Sequence, residues 1–321
     1  MTKHTPIRPE RKTEPSSSRS LLERAGSAFG LEDFAPSSVP GDLPEPTPKS
    51  KSPMAQPEPG PSSAQSVPAD LPPEPRLQLC GPRYEVDREA LRESGLIVPE
   101  DPVTGLLEEF RIIKREVLAD ARASSDVNAR RVLISSPLPG EGKTFCVANL
   151  AIALSAERDV EVLLIDADVN NPSISQRFGI ADAPGFMDAL TGGDQRPEKL
   201  AIETDIERLF IMPAGTSSMR DSDLFASART GEVLDRLTQG APNRFVLFDT
   251  PPALAASPAA ELAAFVGQAL LVVRADETSR AAIEDARQLL AACADLKLLL
   301  NAVQFSPSGR RFGGYGATEG V

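Results

Sequence analysis

Histidine is almost missing from this chain: His4 is the single one in 321 residues. That excludes a Ser-His-Asp triad or a histidine-built zinc site inside a folded domain. Cys80, Cys146 and Cys293 are too few and too scattered for a zinc spacing or a disulfide framework, as expected of a reducing cytoplasm. No apolar run approaches the ~18 residues of a membrane-spanning helix. The basic start, Met1 to Lys12, runs into Pro and Ser rather than an apolar segment, so no secretory signal is expected. Cations are also short. Against 46 Asp and Glu stand 34 Lys and Arg, a net charge of −12, which argues against nucleic acid as a partner. Tyrosine occurs twice, as Tyr84 and Tyr315.

Proline, in contrast, is plentiful and uneven: 18 of 30 lie in the first 100 residues. Residues 36–76 are mostly Pro, Ser, Glu, Ala and Gln, which bury too little apolar surface to offset the entropy of ordering. A largely disordered region over 1–83 is therefore expected. Within it Leu21, Leu22, Ala25, Ala28 and Phe29 have helical spacing, which suits a short amphipathic docking helix near 20–30 or a weakly helical tail. From residue 84 to 305 the texture is that of one α/β domain. Helices are predicted over 86–94, 104–122, 144–157, 221–239 and 278–293. Strands are predicted over 131–135, 160–166, 209–212, 244–249, 269–274 and 296–303. Strands apolar on both faces and separated by helices imply a parallel β-sheet flanked by helices on both faces. Residues 306–321 form a glycine-rich tail.

The sharpest signal is Ser135-Ser136-Pro137-Leu138-Pro139-Gly140-Glu141-Gly142-Lys143-Thr144, which runs from a strand into a helix. A triphosphate needs backbone N–H groups that approach closely, a helix N-terminus, a lysine and a hydroxyl for Mg²⁺. Gly140 and Gly142 permit the approach, Lys143 would reach the β- and γ-phosphates, and Thr144 would ligate the metal. Pro137 stands where the general P-loop pattern has its first glycine. Two further strands end in acids, at Asp166-Ala167-Asp168 and at Asp249-Thr250-Pro251-Pro252. An acid ending a strand can be a helix cap. Three such strand ends converging on one sheet edge instead read as an ATP pocket, with carboxylates for Mg²⁺ or for a proton.

Together these residues resemble the cytoplasmic domain of the bacterial tyrosine kinases of polysaccharide export, and most of all the stand-alone autokinases of exosortase and capsule loci. The resemblance spans 84–305 and reaches Ser20-Leu21-Leu22-Glu23-Arg24-Ala25. It implies a P-loop fold akin to partition and division-site ATPases. It also implies transfer of the ATP γ-phosphate to tyrosines in the C-terminal tail, between subunits of a ring. By position, Lys143, Asp166 and Asp168 become catalytic, with Asp166 as base and Asp168 its partner. Thr144, Asp166 and Asp249 would hold Mg²⁺. Pro139, Gly140, Glu141, Gly142, Lys143, Thr144 and Phe145 would cradle ATP. Asn301 would contact adenine, although an Asn ending a strand also suits a turn. Glu108, Arg111 and Lys114 are similar to the family's oligomerisation helix, Glu-x-x-Arg-x-x-Arg, with Lys114 in place of the last Arg. Tyr315, beside Arg310 and Arg311, is the tail's single candidate phosphoacceptor. Asn170 replaces the Arg of the family's Asp-x-Asp-x-Arg.

A membrane-embedded polysaccharide co-polymerase is the implied partner, which would recruit a cytoplasmic protein to the inner face of the membrane. The alternative is a nucleotide-switched assembly ATPase without kinase activity, docking on the same partner. A partition or division-site ATPase would carry a second lysine early in the P-loop, and positions 135–141 hold none.

Overall fold

The computed structural model describes residues 75–303 except 182, 193–195 and 219–220. The helix expected near 20–30, the proline-rich segment before residue 75 and Tyr315 lie outside the described residues. Among the described residues are strands β1 (Arg83–Tyr84), β2 (Arg131–Ser135), β3 (Glu161–Asp166), β4 (Ile202–Thr204), β5 (Leu209–Met212), β6 (Arg244–Asp249), β7 (Gln268–Arg274) and β8 (Leu296–Asn301). The α-helices are α1 (Arg88–Glu93), α2 (Gly105–Ala123), α3 (Lys143–Ser155), α4 (Ile174–Arg177), α5 (Phe186–Thr191), α6 (Asp221–Phe225), α7 (Ala228–Thr238), α8 (Pro258–Leu262) and α9 (Arg280–Leu289). No described helix is long and apolar enough to cross a membrane.

The strands form one sheet in the order β1-β4-β5-β3-β6-β2-β7-β8. Every pairing is parallel except β4 with β5. Alternation sorts the central side chains into two cores. Val132, Ile134, Val162, Leu164 and Leu247 face one, beneath α2 and α3. Leu133, Leu163, Ile165, Phe248 and Leu271 face the other, with α5, α7 and α9. Burial of each such side chain contributes roughly 1.5–3 kcal/mol relative to exposure, and burial on both faces is why these strands read as continuous apolar runs. At the edge, β8 leaves Leu298 and Leu300 exposed.

Register positions the chemistry. Asp166 lies opposite Asp249 across β3 and β6, and Ile134 lies opposite Asp249 across β2 and β6. All three strand ends thus reach the same carboxyl edge, where ligands of such sheets bind.

Two local expectations change. The helix expected over 221–239 is two, because Ser227 is extended (φ −78°, ψ 156°). The Ser227 and Thr230 hydroxyls donate to Leu224 O at 2.7 and 2.9 Å, satisfying the carbonyl the break exposes. The sheet is also not wholly parallel. The short β4, with Ile202 and Thr204 buried around exposed Glu203, adds antiparallel to β5. In α2 the Thr104 hydroxyl caps the start by accepting from Leu107 N at 3.2 Å, and Phe110, Val117, Leu118 and Ala121 form the buried face.

Candidate functional site

β2 delivers the chain, buried, to Ser135, and α3 starts eight residues later at Lys143. Both glycines of the intervening loop are left-handed, Gly140 at φ 81° and Gly142 at φ 94°, a region that strains other residues. Gly142 also lacks room: a Cβ there would lie 2.1 Å from Asn301 Nδ2, whereas one on Gly140 would meet nothing within 4 Å. The first turn of α3 carries no acid, so its free N–H groups keep their preference for an anion.

Three side chains lock this loop. Glu141 is buried, and its Oε2 accepts from Leu138 N at 2.8 Å. Its Oε1 accepts from the Thr278 hydroxyl, which lies between β7 and α9. Asn301, at the end of β8, donates from Nδ2 to Glu141 O at 2.8 Å. The Asn301 amide therefore braces the loop's backbone. It is not among the residues that line the neighbouring cavity. Glu141 likewise holds the cradle's shape, with its carboxylate turned to Leu138 and Thr278.

Beneath the loop lie the carboxylates. Lys143 Nζ donates to Asp168 Oδ2 at 2.7 Å and stands 3.9 Å from Asp249 Oδ1. Asp166 spends its oxygens on backbone: Oδ1 accepts from Asp168 N at 3.1 Å, and Oδ2 accepts from Ser173 N and Ile174 N, each at 3.0 Å. Asp166 thereby fixes the turn that leads into α4. Asp249 differs, for both its oxygens are buried without a hydrogen-bond partner. Burial holds Asp166 and Asp249 above the usual carboxylate range; backbone N–H donors oppose the shift at Asp166, and Lys143 opposes it at Asp249. One ammonium among three acids leaves an excess of negative charge that favours a cation. The donors, Asp249 and the Thr144 hydroxyl, are hard oxygens suited to Mg²⁺. Among the described residues no cluster of three or more His, Cys, Asp or Glu could hold an ion alone.

A cavity of about 490 Å³ opens over this ground. Of the expected residues, Pro139, Gly140, Gly142, Lys143, Thr144, Phe145 and Asp168 line it. Glu141, Asp166, Asp249 and Asn301 lie behind that lining. Sequence reasoning missed the contributions of Asn171, Ser173, Arg177 and the segment around Pro251 and Ala255. Ser173 and Arg177 follow the second acid motif closely, a nearness that could have flagged them. Burial pushes the Cys146 thiol, in the second half-turn of α3, up to about 12, so it offers no nucleophile.

The expected oligomerisation residues divide. Glu108 and Arg111 pair with each other on the partly exposed face of α2. Lys114 is buried and bonds Glu157 Oε1 at 2.6 Å, so it is committed to the contact between α2 and the end of α3.

The AAA domain family model matches residues 130–303. EpsB of Ralstonia solanacearum, which carries the name of a tyrosine-protein kinase, is 34% identical over 225 residues, 70% of this chain and 28% of that protein. The tyrosine-protein kinase YwqD of Bacillus subtilis is 26% identical over 235 residues, 73% of this chain and 96% of YwqD. This chain thus spans little more than a quarter of EpsB and nearly all of YwqD. Among solved structures, the chimerical protein CapA2B2 superposes with a TM-score of 0.56 at 25% identity, covering 71% of this chain and 94% of that one. The BceF tyrosine kinase domain gives 0.54 at 25% identity, covering 71% and 93%. The family model matches more than half of the chain, and the chain belongs to the AAA domain family.

Proposed function

We propose that this protein is an ATP-dependent protein-tyrosine autokinase that acts with Mg²⁺ and regulates the polymerisation or export of a polysaccharide. The observation that carries the nucleotide half of this reading is Asp249, a buried carboxylate that accepts no geometric hydrogen bond and has the P-loop lysine 3.9 Å away as its charge partner. A buried carboxylate in that state is costly unless a cation completes it. The tyrosine half is supported by the names of EpsB and YwqD, the latter matched over nearly its whole length.

Mg²⁺, when bound, would supply positive charge against the negative charge that develops in transfer. Thr144 and Asp249 would hold it. The Gly140–Gly142 backbone and the α3 N-terminus receive the phosphates, and Lys143 leaves Asp168 to meet them. In the transfer, a phenol oxygen bonds to the γ-phosphorus as the bond to the β–γ bridging oxygen breaks, and ADP departs. The phenolic proton, ordinarily held to pH ~10, needs an acceptor. A carboxylate of the Asp166/Asp168 pair fills that role. Asp168 lines the cavity, whereas both Asp166 oxygens are occupied by backbone N–H groups. The acceptor is Tyr315, supplied by a second copy in a homo-oligomer through the Glu108 and Arg111 face. A membrane-embedded polysaccharide co-polymerase is the docking partner, bound through the segment near 20–30. Support for these partners is the sequence resemblance.

The test is incubation of the full chain with Mg²⁺ and γ-labelled ATP, scoring phosphotyrosine and free phosphate together. Phosphotyrosine lost in both Lys143→Met and Tyr315→Phe is the expected result. Free phosphate without phosphotyrosine, lost in Lys143→Met alone, would replace this reading with an assembly ATPase.

A further inference from the structure

Three charged side chains line the cavity over the P-loop: Lys143, Asp168 and Arg177. Two of them neutralise each other at 2.7 Å. Arg177 is left over. Among the described residues its side chain makes no ion pair and no hydrogen bond, and its Nε is buried without a partner. A buried donor in that state forfeits the hydrogen bonds it made in water, so one left open is suited to an acceptor that arrives from outside the chain.

The backbone beneath Arg177 is firmly held. It closes α4, whose start is pinned by Asp166 Oδ2 accepting from Ser173 N and Ile174 N. Arg177 N donates to Ser173 O at 3.1 Å, and the next residue, Phe178, is fully buried in the core. Around it the cavity wall on the β3 side holds Asn170, Asn171 and Ser173 together with Asp168, whose charge Lys143 already meets. On the far side a hollow of about 290 Å³ is lined by Arg177 with Ala90, Glu93 and Ser94 of the α1 end. Glu93 lies beyond ion-pair distance, so it does not absorb the charge.

We propose that Arg177 is a phosphate-binding residue of this site, with its guanidinium reserved for the terminal phosphate of bound ATP. This inference rests on the reading of the cavity as a nucleotide site. A planar fork of donors matches phosphate oxygens, and a charge-assisted bond to them is among the stronger polar contacts. The same geometry gives Asp166 a part: by fixing the 173–174 turn it sets where the guanidinium can reach.

The experiment is titration of the full chain with fluorescent ATP and ADP analogues in Mg²⁺, comparing wild type with Arg177→Gln, Arg177→Lys and Glu93→Gln. The expected result is ATP affinity lowered by about tenfold or more in Arg177→Gln, ADP affinity changed by less than about twofold, and partial recovery in Arg177→Lys. Glu93→Gln should match wild type. Equal ATP and ADP affinities to wild type in Arg177→Gln would overturn the inference while leaving the nucleotide site standing. So would an equal loss of both nucleotides accompanied by a lower thermal midpoint, the mark of a purely structural arginine. Wild-type protein that binds neither nucleotide would remove the site itself, and this residue's role with it.

Discussion

The P-loop and the turn after β3 face each other across one cavity and are built on opposite plans. In the P-loop the polar side chains are spent internally. Ser136 Oγ donates to Leu138 O at 2.8 Å, Glu141 binds Leu138 N and the Thr278 hydroxyl, and Asn301 holds the Glu141 carbonyl. Across the cavity, hydrogen-bonding capacity is left open: the Arg177 side chain has no partner among the described residues, and below, Asp249 accepts no hydrogen bond at either oxygen and has Lys143 3.9 Å away. The contrast separates two tasks. A cradle that binds phosphate by backbone N–H must hold its shape before the ligand comes, because its donors cannot be re-aimed cheaply. Groups that answer charge directly must instead stay unsatisfied until the ligand supplies the opposite charge.

Lys143 joins the two sides, so its loss should have the largest effect. Lys143→Met strips Asp168 and Asp249 of their shared cation, and breaking such a buried pair costs about 3–5 kcal/mol. Thermal denaturation should show a clear drop, and phosphotransfer should fall by roughly 10²–10³-fold. An unchanged midpoint would mean that the ammonium does not hold the acids together.

Gly142→Ala attacks the cradle's shape, and the two glycines can be set against each other. Both positions carry left-handed strain, of the order of 1–2 kcal/mol for a side chain, but only position 142 also meets Asn301. Gly142→Ala should weaken ATP binding by about tenfold or more, and Gly140→Ala measurably less. Equal effects would show that Asn301 yields freely and braces nothing.

Asn301→Ala separates bracing from base recognition. Loss of one hydrogen bond to the loop should cost about 1 kcal/mol, or some fivefold in affinity, and should do so equally for ATP and GTP. Selective loss of ATP would support the adenine contact expected from the sequence. Smallest of all, Lys114→Met should lower stability by up to about 1 kcal/mol, since Glu157 is partly exposed. Sedimentation should find its oligomeric state unchanged; a shift toward monomer would return Lys114 to the interface.

These differences also mark how far the sequence was legible. The strands β2, β3 and β6 and their terminal acids were readable because burial on both faces leaves continuous apolar runs that end abruptly in polar residues. Gly140, Gly142, Lys143 and Thr144 were readable because their chemistry is local. The brace was not, for Thr278 and Asn301 lie far along the chain from Glu141, and nothing in their neighbours marks them as loop supports. Asp166 carried the right signal and an incomplete meaning, since its capping of Ser173 and Ile174 depends on where the following turn folds back. Lys114 was expected in the oligomerisation helix from resemblance alone, and its burial against Glu157 depends on where the end of α3 packs. The break at Ser227 escaped the helical pattern because Ser and Thr hydroxyls satisfied the exposed carbonyl.

Asp249 is the most direct point of attack, through the Mg²⁺ dependence of ATP binding measured by calorimetry on wild type and Asp249→Asn. The expected result is that Mg²⁺ tightens ATP binding to wild type and has little effect on Asp249→Asn, which removes the charge that would meet the metal. Equal tightening of both proteins by Mg²⁺ would contradict the assignment of Asp249 to the metal, and with it the picture of a site whose open charges await a metal-bound nucleotide.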